Sequence, residues 1–175
     1  MKRKVLISII IVLSLVLVLL CGTAFALMFR QTELLNNQFD PAVVDCAVDE
    51  KFNGTQKSEI TVENTGNIDA YLRLRLVTYW VDSNGNIVYK PSQTLTVSPT
   101  EDWIAGSDNT YYYPHPIAPD ASTPNLLEEP LILVEEDGYF QVVEVFADAI
   151  QSKPAQAASK SWGVIISDGI ITAVP

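Results

Sequence analysis

The 175-residue chain has one histidine, His115, and two cysteines, Cys21 and Cys46. A zinc site of ordinary type gathers several His and Cys ligands, so this composition argues against one, and no H-E-x-x-H run supplies a metalloprotease helix. A Ser-His-Asp triad would have to use His115 as its base. That residue stands between Pro114 and Pro116, and no G-x-S-x-G turn accompanies it, so it reads as a loop residue. Basic residues are scarce as well: 11 Lys and Arg face 21 Asp and Glu. Nucleic acid and anionic lipid surfaces are bound through Lys and Arg clusters, which this chain lacks.

What is present begins with a long apolar run. Lys2, Arg3 and Lys4 precede residues 5–20, which are apolar but for Ser8 and Ser14, and Ala24 and Ala26 then flank Phe25. Positive, apolar, then A-x-A is the order of a secretory signal cut after Ala26. Two alternatives use the same residues. Residues 5–29 are long enough to cross a bilayer as an uncleaved anchor. Cys21 could carry a lipid, against which Leu20 counts, because lipoprotein signals take a small residue before the cysteine. The expected division is a signal peptide at 1–26, an exported N-terminal arm at 27–40 and a domain at 41–175. The exported part then holds eight basic and 21 acidic residues, a formal −13, and Cys46 as its sole cysteine. With no internal disulfide, burial alone must hold the domain, and 149 residues can bury enough to do so. Cys46 alternates with Val44 and Val48 and reads as a small core residue.

Beyond the leader, alternation of period two dominates. Ala42, Val44, Cys46 and Val48 are expected on one face of a strand, Asp45 and Asp49 on the other. Ile60 and Val62 alternate with Glu59, Thr61 and Glu63 before the turn at 64–67. Residues 70–81 form the strongest strand, with Ala70, Leu72, Leu74, Leu76, Thr78 and Trp80 facing inward. Asn84-Gly85 predicts a type I′ hairpin after it, and Asp137-Gly138 a second hairpin leading into residues 139–150, both faces of which are largely apolar. Residues 114–130 carry five of the ten prolines and read as an extended connection across the surface or between sheets. PAQAAS suits one or two helical turns with Pro154 at the first helical position. About nine or ten short strands with almost no helix predict an all-β, antiparallel two-sheet sandwich, jelly-roll-like or, alternatively, immunoglobulin-like.

Candidate chemistry is sparse. Residues 82–86, DSNGN, match the opening of a calcium loop, but its sixth and twelfth positions are Ile87 and Gln93 where Gly and Glu are required. The acidic runs at 128–129 and 135–137 read as solvated turns. Trp103, Tyr111 and Tyr113 sit near loops and offer a ligand surface for a sugar or a protein; the competing reading is that they pack. No cofactor is expected, and no enzyme activity.

The leader ending GTAFA, the segment LLNNQFDPAVVDCAVDEKF and the phrase VENTGNIDAYLRLRLVTYW resemble small exported proteins with a SipW-type signal peptide, the group that includes the biofilm-matrix protein TasA and camelysin. DWIAGSDNTYYYPHPIAPDASTPNLL, VFADAIQS and SWGV extend the resemblance over almost the whole chain. It implies a jelly-roll-like sandwich, trimmed by a dedicated signal peptidase and deposited at the cell surface or in the extracellular matrix. It also implies self-association, or association with related matrix proteins, through an N-terminal segment that completes a neighbour's sheet. By position that arm holds Leu27, Met28, Phe29, Leu34, Leu35 and Phe39. Camelysin-like proteins are classed as metalloproteases, an activity for which this sequence shows no ligand cluster. The expected function is therefore a secreted structural protein of the cell surface or of an extracellular (biofilm) matrix, fibre-forming by N-terminal strand addition. The alternative is an adhesin-like module that binds a glycan or surface protein. Membrane contact is expected only through the leader before cleavage.

Overall fold

The structure, a computed structural model, describes residues 2–31, 41–90 and 95–175. The chain divides into two compact units, Met1–Asp40 and Pro41–Pro175. The first contains helix α1 (Lys2–Gln31), in which Arg3–Ala24 is long and apolar enough to cross a membrane and equally fits a signal sequence near the N-terminus.

The second unit is mostly β-structure, and every strand pairing in it is antiparallel. Its strands are β1 (Cys46–Phe52), β2 (Gln56–Asn64), β3 (Ala70–Val81), β4 (Ile87–Val88), β5 (Ile104–Ala105), β6 (Thr110–Tyr112), β7 (Leu131–Ile132), β8 (Glu135–Glu136), β9 (Tyr139–Gln151), β10 (Ile165–Ser167) and β11 (Ile170–Ala173), with helix α2 (Gln156–Trp162) between β9 and β10. One sheet has the order β1-β2-β7, a second pairs β10 with β11, and the largest, curled sheet has the order β5-β6-β3-β9-β8 with β4 also on β3.

Strand β3 is central because its alternation is the cleanest in the chain. Ala70, Leu72, Leu74, Leu76 and Trp80 are buried on one face, as expected. That face shares a core with Ile60 and Val62 of β2, Leu131 of β7 and Val143 of β9. On the opposite face, Tyr71 joins Tyr112, Ala158, Trp162, Val164 and Ile171 in a second cluster, so α2 and the β10–β11 hairpin cover one end of the sheet. Among the described residues, both clusters lie wholly within Pro41–Pro175.

Several local expectations change. Strand β1 begins only at Cys46, and Ala42, Val43 and Val44 are exposed. Five residues separate β3 from β4, and of these only Gly85 has positive φ, at 82°, so the hairpin is not type I′. Instead the Asp82 carboxylate accepts from the N–H groups of Asn84 and Asn86 and closes a wider loop. Asp137-Gly138 and Asp168-Gly169 do have positive φ at both residues, inside two-residue loops, and these are the type I′ turns.

The proline-rich connection is not a surface strap. Ile117, Thr123, Leu126 and Leu127 are buried, and its backbone bonds along β2: Thr123 N–H donates to Val62 and Leu126 N–H to Ile60. Pro154 precedes the N-cap residue Ala155 of α2 and so lies outside the helix. The expectation that both faces of β9 are buried also needs correction. On its outer face Phe140 is 39% and Phe146 52% exposed, because α2 and β10–β11 reach only the far end of that face.

Candidate functional site: the open edge of strand β9

Strand β9 pairs with β3 over twelve residues on one side, from Val81↔Phe140 to Ala70↔Gln151. On the other side it meets only β8, at Tyr139 and Phe140, and the N–H of Gln141 then donates to Val134 at 2.9 Å. Beyond Gln141 that edge makes no strand pairing among the described residues. Backbone groups of successive strand residues point alternately to the two sides, so the direction of Gln141 fixes the rest. The N–H and C=O groups of Val143, Val145, Ala147 and Ala149 face the open edge. The same parity follows at the strand's end, where the N–H of Ser152 donates to Asp69 on the β3 side.

Strand β1 comes alongside this edge and is itself unpaired on the facing side among the described residues. Thr65 N–H donates to Asp45, so Asp45, Ala47 and Asp49 point toward β2 while Cys46, Val48 and Glu50 point away from it. The N–H of Cys46 is taken up by the Asp45 carboxylate at 2.9 Å. Between the two edges lies a seam whose inward side chains are small: Cys46 and Val48 on β1, and Val145, Ala147 and Ala149 on β9. All five are only partly buried, whereas their neighbours on β2 and β3 are fully buried.

The strand itself also lacks the sequence features that guard natural edge strands. Between Tyr139 and Gln151 there is no Lys, no Pro and no register shift in the pairing with β3. Its charged side chains, Glu144 and Asp148, are on the outer face. Glu144 accepts a hydrogen bond from Tyr79 at 2.7 Å, and Asp148 pairs with Arg73 at 2.9 Å. Burial, with the charges of Asp45 and Asp148 added, pushes the Cys46 thiol up to about 11. The thiol is therefore protonated at neutral pH and behaves as a small apolar group.

The other candidate residues are placed as follows. Ala24, Ala26, Leu27, Met28 and Phe29 all lie within α1, which continues to Gln31. Leu34, Leu35 and Phe39 lie outside the described residues. Trp103, Tyr111 and Tyr113 do come together, with the Trp103 and Tyr113 rings edge to face at 5.6 Å. They do so inside the domain: Trp103 is 5% and Tyr111 6% exposed, both belong to the core, and the Trp103 indole N–H donates to Pro124. Trp103 and Tyr111 therefore pack as core side chains, and Tyr113 is only partly buried against them. His115 is an exposed loop residue at 5.8 Å from the Tyr113 ring. Among the described residues no three His, Cys, Asp or Glu side chains gather as a metal site. The open edge itself was not singled out by sequence; the one available signal was a thirteen-residue strand with no Lys or Pro in it.

Comparison with family models, with curated proteins and with solved structures finds no match.

Proposed function

We propose that this is an exported structural protein of the cell surface or extracellular matrix, a jelly-roll-like sandwich whose copies join when an N-terminal arm of one adds as a strand to the sheet of the next. The observation that carries the reading is the edge of β9: four alternate residues, Val143, Val145, Ala147 and Ala149, pair their N–H and C=O groups with no strand among the described residues. An added strand supplies main-chain hydrogen bonds, and alternate side chains enter the space left by small neighbours. Val145, Ala147, Ala149, Cys46 and Val48 leave such space. The arm at 27–40 has a suitable composition, with Leu27, Met28, Phe29, Leu34, Leu35 and Phe39 as apolar side chains. The resemblance to SipW-type exported proteins supports the same reading, as does a leader that fits a secretory signal, which a dedicated peptidase would remove after Ala26.

The test compares residues 27–175 with Pro41–Pro175 by electron microscopy and sedimentation. The reading expects polymers of the longer chain and none of the shorter one by the same route. Monomers of both under all conditions, or identical polymers of both, would overturn it.

A further inference from the structure

The outer face of the β3–β9 pair is divided in two. At one end, Tyr71↔Ile150 and Arg73↔Asp148 lie under α2 and β10–β11, and the Arg73 guanidinium stacks 4.8 Å from the Trp162 ring. At the other end, four successive pairs on the same face stand outside that cluster: Arg75↔Phe146, Val77↔Glu144, Tyr79↔Val142 and Val81↔Phe140, of which Tyr79, Val81 and Val142 are half-buried. Phe146 is 52%, Phe140 39% and Val77 37% exposed. Two phenylalanines and three valines side by side make an apolar patch of the kind that marks an interaction surface.

The charges on this patch select its occupant. Pro41–Pro175 contains seven Lys and Arg against 19 Asp and Glu. Lys51, Lys57, Arg73 and Lys90 are spent on ion pairs within the unit, whereas Arg75, Lys153 and Lys160 are exposed and make none among the described residues; of these three, Arg75 is the one on this face of the β3–β9 pair. Glu144 sits one pair further along on the neighbouring strand, its carboxylate oriented by the Tyr79 hydroxyl. One cation and one held anion, offset diagonally on an apolar face, are complementary to themselves under a twofold axis, as an isologous interface requires. A partner carrying only acidic groups would meet Arg75 but would be repelled by Glu144.

We infer that this open face binds a second copy of the chain, Arg75 of each copy meeting Glu144 of the other over Phe146 and Val77. The contact is small, below about 1,200 Å² in total, so the pair is weak and transient, with Kd on the order of 10–100 µM. It is independent of strand addition, because it uses the sheet's face rather than its edge and needs no residue before Pro41.

Sedimentation equilibrium of Pro41–Pro175 tests it, since both buried clusters of the described residues lie within this unit and it lacks the arm. Dimerisation is expected, weakened at least about tenfold by Phe146→Asp and by either Arg75→Glu or Glu144→Arg, and restored when the two charge reversals are combined. Circular dichroism and unfolding of each variant separate lost pairing from lost folding. A wild-type unit that stays monomeric to millimolar concentration overturns the inference. So does a dimer indifferent to Phe146→Asp, or one that the double reversal does not restore. The polymerisation test on residues 27–175 is read separately, so either idea can fail alone.

Discussion

The N–H of Gln141 donates to the carbonyl of Val134 at 2.9 Å, and it is the last main-chain bond on that side of β9 among the described residues. From this bond onward, every odd-numbered residue of the strand points its amide at the open edge and every even-numbered one points at β3. The proposed assembly depends on that alternation.

Proline substitutions read the alternation directly. Proline removes an N–H, which costs little at an unpaired edge position and about 3 kcal/mol or more where the N–H serves a ladder. Ala147→Pro in Pro41–Pro175 is therefore expected to cost about 1 kcal/mol, and Phe146→Pro about 3 kcal/mol or more. Urea unfolding of the two variants checks the order, and equal losses would contradict the assigned parity.

Asn64 is a buried amide that ties three segments together. Its Nδ2 donates to Ile68 and Ile117 at 2.8 Å each, and its Oδ1 accepts from the N–H of Gly66. Asn64→Leu would leave the Ile68 carbonyl and the Gly66 N–H without these partners, and the Ile117 carbonyl with the Ala70 N–H alone, in a buried site. The expected loss is about 3 kcal/mol, measured by chemical denaturation.

At Gly66 a Cβ would overlap the Val43 carbonyl and lie 3.0 Å from the Asp45 nitrogen. Both obstacles are backbone, so Gly66→Ala must displace the residues that lead into β1. A loss of about 2 kcal/mol is expected, with faster amide exchange at Thr65 and Asn67, whose N–H groups donate to Asp45 and Val43.

The Cys46 thiol gives a pH-dependent reporter on the seam. Its folded pKa lies near 11 against 9.0 for an ordinary thiol, first through burial and then through Asp45 and Asp148. Raising the pKa of an acid favours its neutral form in the fold. This contribution to stability is therefore complete below pH 9 and is lost as pH rises toward 11. The thiol of Pro41–Pro175 is expected to react with a thiol reagent at pH 8 well below the rate of the urea-unfolded chain. Reaction at the unfolded rate would contradict the burial.

Much of the fold was legible in the residues themselves. The alternations in 58–64 and 70–81 predict which side chains of β2 and β3 are buried, and Asp137-Gly138 announces a two-residue turn because both residues tolerate positive φ. The open edge was not legible, since alternation tells which face a residue takes and nothing about whether a strand has one neighbour or two. Exposure of Phe140 and Phe146 was hidden for a related reason: it depends on where α2 and β10–β11 come to rest. Trp103 and Tyr111 looked available because they flank turns, and they are buried because the proline-rich segment folds inward, bringing Leu126 and Leu127 into the same core. The wider loop at 82–86 departs from the type I′ expectation because Asp82 bonds to both Asn84 and Asn86, a choice local sequence leaves open.

Amide hydrogen exchange on β9, compared between residues 27–175 and Pro41–Pro175, tests strand addition most directly. The prediction is that Val143, Val145, Ala147 and Ala149 exchange slowly in the longer chain and fast in the shorter one, the protection growing with protein concentration. Val142, Glu144 and Phe146, bonded to β3, should stay slow in both. Odd-numbered amides that exchange alike in the two chains would contradict the proposal that an arm completes this sheet.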